Sequence, residues 1–431
     1  MSSVGSTIFA LATAPGRAGV AIIRVSGPEA FRASESLVGT LPRPRTTGLR
    51  QVRGLGGELI DEALILSFEA GASFTGEPVV EFHTHGSLAV VDKLLAELAS
   101  LPGLRAAEAG DFTRRAFENG RLDLVQVEGL AELIEAETEA QLSRAQSVFA
   151  GDLSKRFLDL RQGLLEALSL SEAQIDFSDE ELPDGLDEAM RTKIEAVAFL
   201  VTQLIDGAGA ARAVQRGFEV AIVGPPNVGK STLINAITQR DTALVSDIAG
   251  TTRDVIEARV SLGGHLVTFL DTAGLRATED AIESAGVSRA YTRARGADLR
   301  LFLCNPGEQP YAEIARPGDV VRETKHDLTE APGAISAQTG AGMSELMAEI
   351  ADRLKEKANK SGPMASRRQE ERLRACQDFL NAALSALKAS APEEIVAEEL
   401  RAAVRELDAI LGKVDVEEVL GQIFSSFCIG K

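Results

Sequence analysis

Gly224-Pro225-Pro226-Asn227-Val228-Gly229-Lys230-Ser231 sets two glycines, a lysine and a serine at the G-x-x-x-x-G-K-S spacing of a phosphate-binding loop. The apolar run Phe218-Glu219-Val220-Ala221-Ile222-Val223 reads as a buried strand feeding that loop, and residues 232–237 as the helix that leaves it. A Gly-rich turn with an adventitious lysine would lack this strand–loop–helix setting. Glycines let backbone N–H groups curl around phosphate oxygens, and the helix N-terminus adds its positive end. On this reading Lys230 reaches the outer phosphates and the Ser231 hydroxyl ligates magnesium.

Three further segments carry matching chemistry. Gly250-Thr251-Thr252-Arg253-Asp254 offers, through Thr252, a second hydroxyl to the metal. The strand-like residues 266–270 run into Asp271-Thr272-Ala273-Gly274, where the carboxylate can hold magnesium through water and the Gly274 N–H can meet the γ-phosphate. Asp327 follows the strand-like residues 319–323 and can accept two hydrogen bonds, from guanine N1 and its exocyclic amine. Adenine has no such donor pair, and unpaired buried groups discriminate by roughly 10⁴-fold or more. Ser336-Ala337-Gln338 closes over the base. GTP is the expected nucleotide.

These motifs need a scaffold. Between about 217 and 354 strands and helices alternate, the pattern of a parallel sheet. Residues 6–119 show short apolar runs separated by Gly and Pro, with strands at 20–25, 64–68 and 79–83 and a helix at 90–99, an α+β segment. After Arg121 the periodicity becomes helical through Leu124, Val127, Leu130, Leu133 and Ile134, and again through Leu160, Leu164, Leu165 and Leu168. The acidic run 176–185 reads as a solvated loop, and 355–365 as a linker before a last helical stretch, 367–423. The fold class is therefore multidomain: an N-terminal α+β domain, a central helical domain and an α/β P-loop domain inserted into it. Two separate helical domains are the alternative.

The chain has 431 residues, 45% hydrophobic and 25% charged, enough for two or three ordinary cores. With 45 basic against 64 acidic residues the net charge is −19, awkward for gripping nucleic acid alone, and the absence of Trp leaves few stacking platforms. No run of about 18 apolar residues is free of charge, and residues 1–14 lack a basic region, so neither a membrane span nor a secretory signal is expected. Three cysteines form no disulfide framework, and a reducing cytoplasm is the expected compartment.

The order of phosphate loop, TTRD, DTAG, KxD and SA resembles the translation-factor-like GTPases. Thr324-Lys325-His326-Asp327 stands where that class has Asn-Lys-x-Asp, so a hydroxyl replaces an amide that donates and accepts at once. A closer resemblance covers nearly the whole chain. Ala10-Leu11-Ala12-Thr13-Ala14-Pro15-Gly16-Arg17, Ile22-Ile23-Arg24-Val25-Ser26-Gly27 and Gly110-Asp111-Phe112-Thr113-Arg114-Arg115-Ala116-Phe117 are similar to the MnmE (TrmE) family of tRNA modification GTPases. So are Asn119-Gly120-Arg121-Leu122-Asp123-Leu124, Ile175-Asp176-Phe177 and the terminal Phe427-Cys428-Ile429-Gly430-Lys431. The chain is shortened between Leu303 and Val320 relative to that family.

The resemblance implies an N-terminal dimerisation and tetrahydrofolate-binding domain at 1–118, a discontinuous helical domain at 119–214 plus 366–431, and a G domain at 215–365. It implies a homodimer, a one-carbon unit from 5-formyl- or 5,10-methylene-tetrahydrofolate, and an FAD-dependent partner, MnmG, in a heterotetramer or larger assembly. Together they would modify C5 of the wobble uridine of certain tRNAs, the flavin residing on the partner. Asn227 matches the asparagine that coordinates potassium, a charge that takes the place of an arginine finger, and Ser246, Ile248 and Thr251 match the loop completing its shell. Ser231 and Thr252 match the magnesium ligands. Glu283 matches the glutamate that orients the attacking water; by spacing alone it is equally a surface helix residue. Arg253, Asp254 and Arg276 match a charged set around the same site, along with Lys230. The GTP-contacting set carried over is Asn227, Val228, Gly229, Lys230, Ser231, Thr232, Ser246, Asp247, Ile248, Ala249, Gly250, Thr251, Thr252, Asp271, Thr272, Ala273, Gly274, Thr324, Lys325, Asp327, Ser336, Ala337 and Gln338.

For folate, Arg24, Glu81 and Lys431 match family positions, and Arg121 replaces a lysine, so a planar guanidinium stands for an ammonium. Cys428 in the tail is either a reactive thiolate or a small buried hydrophobe. His83 and His85 share a strand face as a metal pair would, but with four histidines in the chain and no nearby cysteine, structural roles are favoured. A ribosome-assembly GTPase switch is the competing function. It would share the Asn-containing loop and TTRD but would need neither the N-terminal segment nor the Cys-containing tail.

Overall fold

The structure, a computed structural model, describes residues 5–177, 185–239, 257–271, 292–305, 314–325, 333–364, 366–414, 420–421, 423–424, 427 and 430. Two compact units divide the chain: Met1–Ala131 with Asp408–Lys431, and Glu132–Leu407.

In the first unit, strands β1 (Thr7–Leu11), β2 (Ala18–Ser26), β3 (Thr47–Arg53), β4 (Leu59–Phe68), β5 (Val79–Gly86) and β6 (Leu104–Ala106) form one six-stranded sheet in the order β3-β4-β5-β2-β1-β6. All neighbouring pairs are antiparallel except β1 with β6, which is parallel. Alternation decides which face is buried: Ile23 and Val25 of β2 and Phe82 of β5 turn inward against Leu94 and Leu98 of helix α2 (Leu88–Ser100) and Leu37 of helix α1 (Ala30–Val38). The strands read from sequence at 20–25, 64–68 and 79–83 are present, each longer than the apolar run that signalled it. Strands β3 and β6, with few consecutive apolar residues, gave no such signal.

Helices α3 (Asp111–Glu118) and α4 (Leu124–Glu135) follow. Val127 of α4 packs with Phe424 and Phe427, flanked by Phe117, Leu122 and Ile423. Arg114 stacks its guanidinium 5.2 Å from the centre of the Phe424 ring. Residues 408–431 fall in the same compact unit as residues 1–131.

The second unit begins with α5 (Glu139–Phe149), α6 (Asp152–Asp176) and α7 (Leu186–Arg216). Thr138 caps α5 in a full capping box with Gln141, an arrangement worth about 1 kcal/mol. Most of the acidic run at 176–185 lies outside the described residues. Among the described helices α7 is long and apolar enough, by length and composition, to cross a membrane, with a mean hydropathy of 1.4 over its most apolar window. Its Ile194, Val201, Ala208 and Ala211 are buried and it packs on α6, as a core helix does.

Next come β7 (Phe218–Val223), α8 (Lys230–Thr238), β8 (Glu257–Leu262), β9 (His265–Asp271), β10 (Leu299–Cys304), β11 (Val320–Glu323) and α9 (Met343–Ala358). The five strands order as β11-β10-β7-β9-β8, parallel except for β8. Helices α10 (Arg367–Lys388) and α11 (Glu393–Leu411) close the series, and α10 packs on α7 through Arg212–Glu370 and the bond from Gln377 Nε2 to Thr202 Oγ1, 2.7 Å. The expected linker at 355–365 is more ordered than its composition suggested. Helix α9 runs to Ala358, and the Gly362 N–H donates to the Gly207 carbonyl at 3.1 Å.

One buried charge pair ties the edge of the parallel sheet together. Arg300 of β10, 2% exposed, donates through Nε to Asp319 Oδ2 at 2.7 Å, and its terminal nitrogen reaches the Ala294 and Ala297 carbonyls. Removing only the acid leaves a desolvated guanidinium, so Asp319→Ala should cost about 3 kcal/mol or more, whereas Arg300→Met should cost less. Urea denaturation of the two variants checks this; equal losses would mean that the pair, not the stranded charge, sets the energy.

Candidate functional site

The phosphate loop emerges from the centre of the parallel sheet. β7 lies between β10 and β9, so residues 224–229 leave its carboxyl end where the chain crosses to either side, the crevice in which open α/β sheets bind ligands. A Cβ placed on Gly224 would lie 2.4 Å from the Leu303 carbonyl oxygen, so only glycine lets the loop pass this close to β10. Asn227 adopts φ 61°, left-handed backbone that asparagine tolerates.

Lys230 opens helix α8, buried, its Nζ donating to the Gly224 and Pro225 carbonyls at 2.9 and 3.0 Å. Burial holds this ammonium below the usual lysine range, and the Asp271 carboxylate offsets part of that effect. The Ser231 hydroxyl donates to Asp271 Oδ2 at 2.9 Å, joining the start of α8 to the end of β9. Asp271 is itself buried, and its Oδ1 has no hydrogen-bond partner among the described residues. An orphaned, buried carboxylate oxygen beside a serine hydroxyl is an all-oxygen donor set with capacity to spare, and it suits a hard divalent cation.

A cleft of about 260 Å³ opens beside the loop, lined by Asn227, Val228, Gly229 and Thr232 on one side and Thr324, Lys325, Ser336, Ala337 and Gln338 on the other. Leu303 and Ile335 give it an apolar floor. The structure thus brings two distant expected segments together around a volume fit for a planar base. Thr324, while lining the cleft, is tied to β10: its N–H donates to the Cys304 carbonyl at 3.0 Å, with its hydroxyl 3.5 Å from the same oxygen. Lys325, at φ 63°, donates through Nζ to Asn305 Oδ1 at 3.2 Å.

Ser246, Asp247, Ile248, Ala249, Gly250, Thr251, Thr252, Arg253, Asp254, Thr272, Ala273, Gly274, Arg276, Glu283, Asp327, Cys428 and Lys431 lie outside the described residues.

In the N-terminal unit, Arg24 of β2 stands opposite Glu81 of β5, donating through Nε to Oε1 at 2.9 Å. The guanidinium also lies 5.7 Å from the centre of the Phe112 ring. Gly430 comes so close to β1 that an added Cβ would sit 2.1 Å from the Leu11 carbonyl oxygen. Leu11 pairs with Ile23, so Gly430 meets β1, the neighbour of the strand that carries Arg24. Arg121 lies against Gly76, in a segment anchored by Asn119 Nδ2 donating to the Thr75 carbonyl at 2.7 Å. Sequence reading missed the centre of that segment: Arg115 donates to both Glu77 oxygens at 3.0 and 2.9 Å, and Ser26 Oγ donates to Glu77 at 2.7 Å. The only available signal was a charged residue within an amphipathic helix.

His83 Nε2 lies 3.3 Å from Glu81 Oε2, and His85 pairs with Asp61 at 2.8 Å. Among the described residues no group of three or more His, Cys, Asp or Glu can hold a metal ion. Cys304 and Cys376 are buried outside any disulfide, and burial, with Glu406 adding to it, pushes the Cys376 thiol up to about 12, so it is inert at neutral pH.

A family model described as "MnmE helical domain" matches residues 124–428, and one described as "GTP-binding protein TrmE N-terminus" matches residues 7–121. The tRNA modification GTPase MnmE of Cereibacter sphaeroides is 48% identical over 429 residues, covering 99% of this chain and 100% of its own. Its counterparts in Dinoroseobacter shibae and Paracoccus denitrificans are each 46% identical, again covering 99% of this chain and 100% of theirs. Among solved structures, Aquifex aeolicus Era bound to GDP and aluminium fluoride aligns at 27% identity and a TM-score of 0.26, over 32% of this chain and 56% of that one. By two consecutive domain matches and full-length identity near one half, the chain belongs to the MnmE family.

Proposed function

We propose that this chain is a potassium-stimulated GTP hydrolase whose turnover serves modification of C5 of the wobble uridine of certain tRNAs, of the carboxymethylaminomethyl or aminomethyl type. The observation that carries the hydrolase reading is the Ser231–Asp271 bond beneath the phosphate loop, with Asp271 Oδ1 left over for a cation's hydration shell. Ser231 and Thr252 would hold magnesium, which when bound neutralises charge on the β- and γ-phosphates. Lys230 approaches the same phosphates from α8. Asp327 selects guanine in the cleft between Asn227 and Thr324, and Ser336, Ala337 and Gln338 cover it.

Asn227 would hold potassium with Ser246, Ile248 and Thr251, and the ion supplies positive charge against the transition state. Glu283 orients the attacking water, supported by Arg253, Asp254 and Arg276. The contacts between α7 and α10 support a single helical domain with the G domain of residues 215–365 inserted into it. Residues 1–118 bind the one-carbon tetrahydrofolate: the Arg24–Glu81 pair offers adjacent donor and acceptor groups, 22% and 14% exposed, to a fused aminopyrimidinone. Lys431 lies near the pterin, and Arg121 keeps the positive charge of the lysine it replaces. The same domain makes the homodimer, and MnmG, with its FAD, supplies the redox chemistry and RNA surface that a chain of net charge −19 does not. Buried cysteines outside any disulfide, Cys304 and Cys376, fit a reducing cytoplasm. A ribosome-assembly switch would leave the Arg24 site and the tail docked beside it without a role.

Steady-state GTPase rates in potassium should exceed those in sodium at matched ionic strength by about tenfold or more, and Asn227→Ala should remove that difference while nucleotide binding persists. Equal potassium stimulation in the mutant would end the metal assignment. Asp327→Asn should transfer preference from guanine to xanthine nucleotides, read by competition binding; retained GTP preference would take Asp327 out of the base site. Titration calorimetry with 5-formyltetrahydrofolate should show Arg24→Met weakening binding by about tenfold, the scale of one charged hydrogen bond. Unchanged affinity would move the folate elsewhere.

A further inference from the structure

The start of α5 bonds to β8, to the β8–β9 turn and to the last turn of α7, which leads into β7. Glu137, just before the Thr138 cap, accepts from Arg259 of β8 at 2.8 Å, and the Ala140 N–H donates to the Gly264 carbonyl at the β8–β9 turn, 3.2 Å. Gln141 turns the other way, its Nε2 donating to the Gln215 carbonyl at 2.7 Å, immediately before β7. The same glutamine fixes Glu137 by accepting from its backbone N–H at 2.9 Å. β7 leads to Ser231 and β9 ends in Asp271, the two groups joined across the magnesium position.

We propose that Glu137, Gln141 and Arg259 are positioning residues for the nucleotide site: through α5 they hold β7 and the β8–β9 hairpin in the register that sets Asp271 against Ser231. A cavity of about 440 Å³ lies between the two sides, lined by Glu132, Glu137, Gln141, Arg144, Gln215 and Arg259. The end of the hairpin packs on β7 where the His265 ring meets Phe218 edge-on at 5.6 Å, and the polar contacts of α5 add to that packing across the cavity. β9, with Val267, Phe269 and Leu270 buried, is a stiff element between its ends, and a shift at Gly264 is delivered at Asp271. The inference rests on the GTPase reading for its kinetic arm only.

The test uses the full-length chain and N-methylanthraniloyl-GDP as fluorescent probe, titrated with magnesium and repeated in EDTA. Arg259→Ala and Glu137→Ala should each raise the half-saturating magnesium concentration by about threefold to fivefold, the range open to a half-exposed ion pair. Probe affinity in EDTA should stay as in the parent chain, and kcat should fall by about the same factor at constant KM. The exchanged pair, Glu137→Arg with Arg259→Glu, should restore the magnesium midpoint. An unchanged midpoint in both single variants overturns the proposal. So does a loss of probe affinity in EDTA, which marks general structural damage, or a failure of the exchanged pair to recover. A parent chain that binds magnesium and probe but hydrolyses no GTP ends the hydrolase reading, while the midpoints still decide the positioning role.

Discussion

Everything at the nucleotide site depends on how closely the phosphate loop can lie against strand β10. The missing side chain at Gly224 allows the loop backbone to pass the Leu303 carbonyl, and a methyl group there would collide at 2.4 Å. With the loop pressed inward, Lys230 is buried at the start of α8 and Ser231 meets Asp271 at the end of the adjacent parallel strand. One close backbone approach thus sets a lysine, a hydroxyl and a carboxylate at one corner. The cost is a desolvated ammonium and an orphaned carboxylate oxygen, the strained electrostatics expected of a site built for a polyanion and its cation.

The N-terminal unit solves a different problem with the same economy. In a sheet antiparallel in every pair but one, cross-strand registration decides which polar pairs face each other. Arg24 and Glu81 are 57 residues apart in sequence and directly opposite in register. Phe424 and Phe427 pack with Val127 of α4 and Phe117 of α3, and Gly430 approaches Leu11 of β1.

Much was legible before any fold was known, and for identifiable reasons. The phosphate loop could be read because its chemistry is local: glycine spacing, a lysine and a serine within eight residues, between a run of buried β formers and a helix. Strand β7 was bounded correctly since it is buried on both faces and its apolar run is continuous. Strand β3 was invisible because only Val52 of its residues is buried. Glu77, the hub that binds Ser26 and Arg115, was equally invisible, because a carboxylate in a Gly-rich loop looks solvated until its partners arrive from 38 and 51 residues away.

By itself the sequence determined the nucleotide chemistry, the α/β and helical character of each segment, and the family. Those properties follow from neighbours a few residues apart, and periodicity and motif spacing record them directly. Only the tertiary structure decided that Phe424 and Phe427 meet Val127, almost 300 residues earlier in the chain. It also decided that Thr324 is bonded to β10, and that the start of α5 joins β8 to the end of α7. These depend on which distant surfaces can exclude water together and which polar groups are left facing each other when they do.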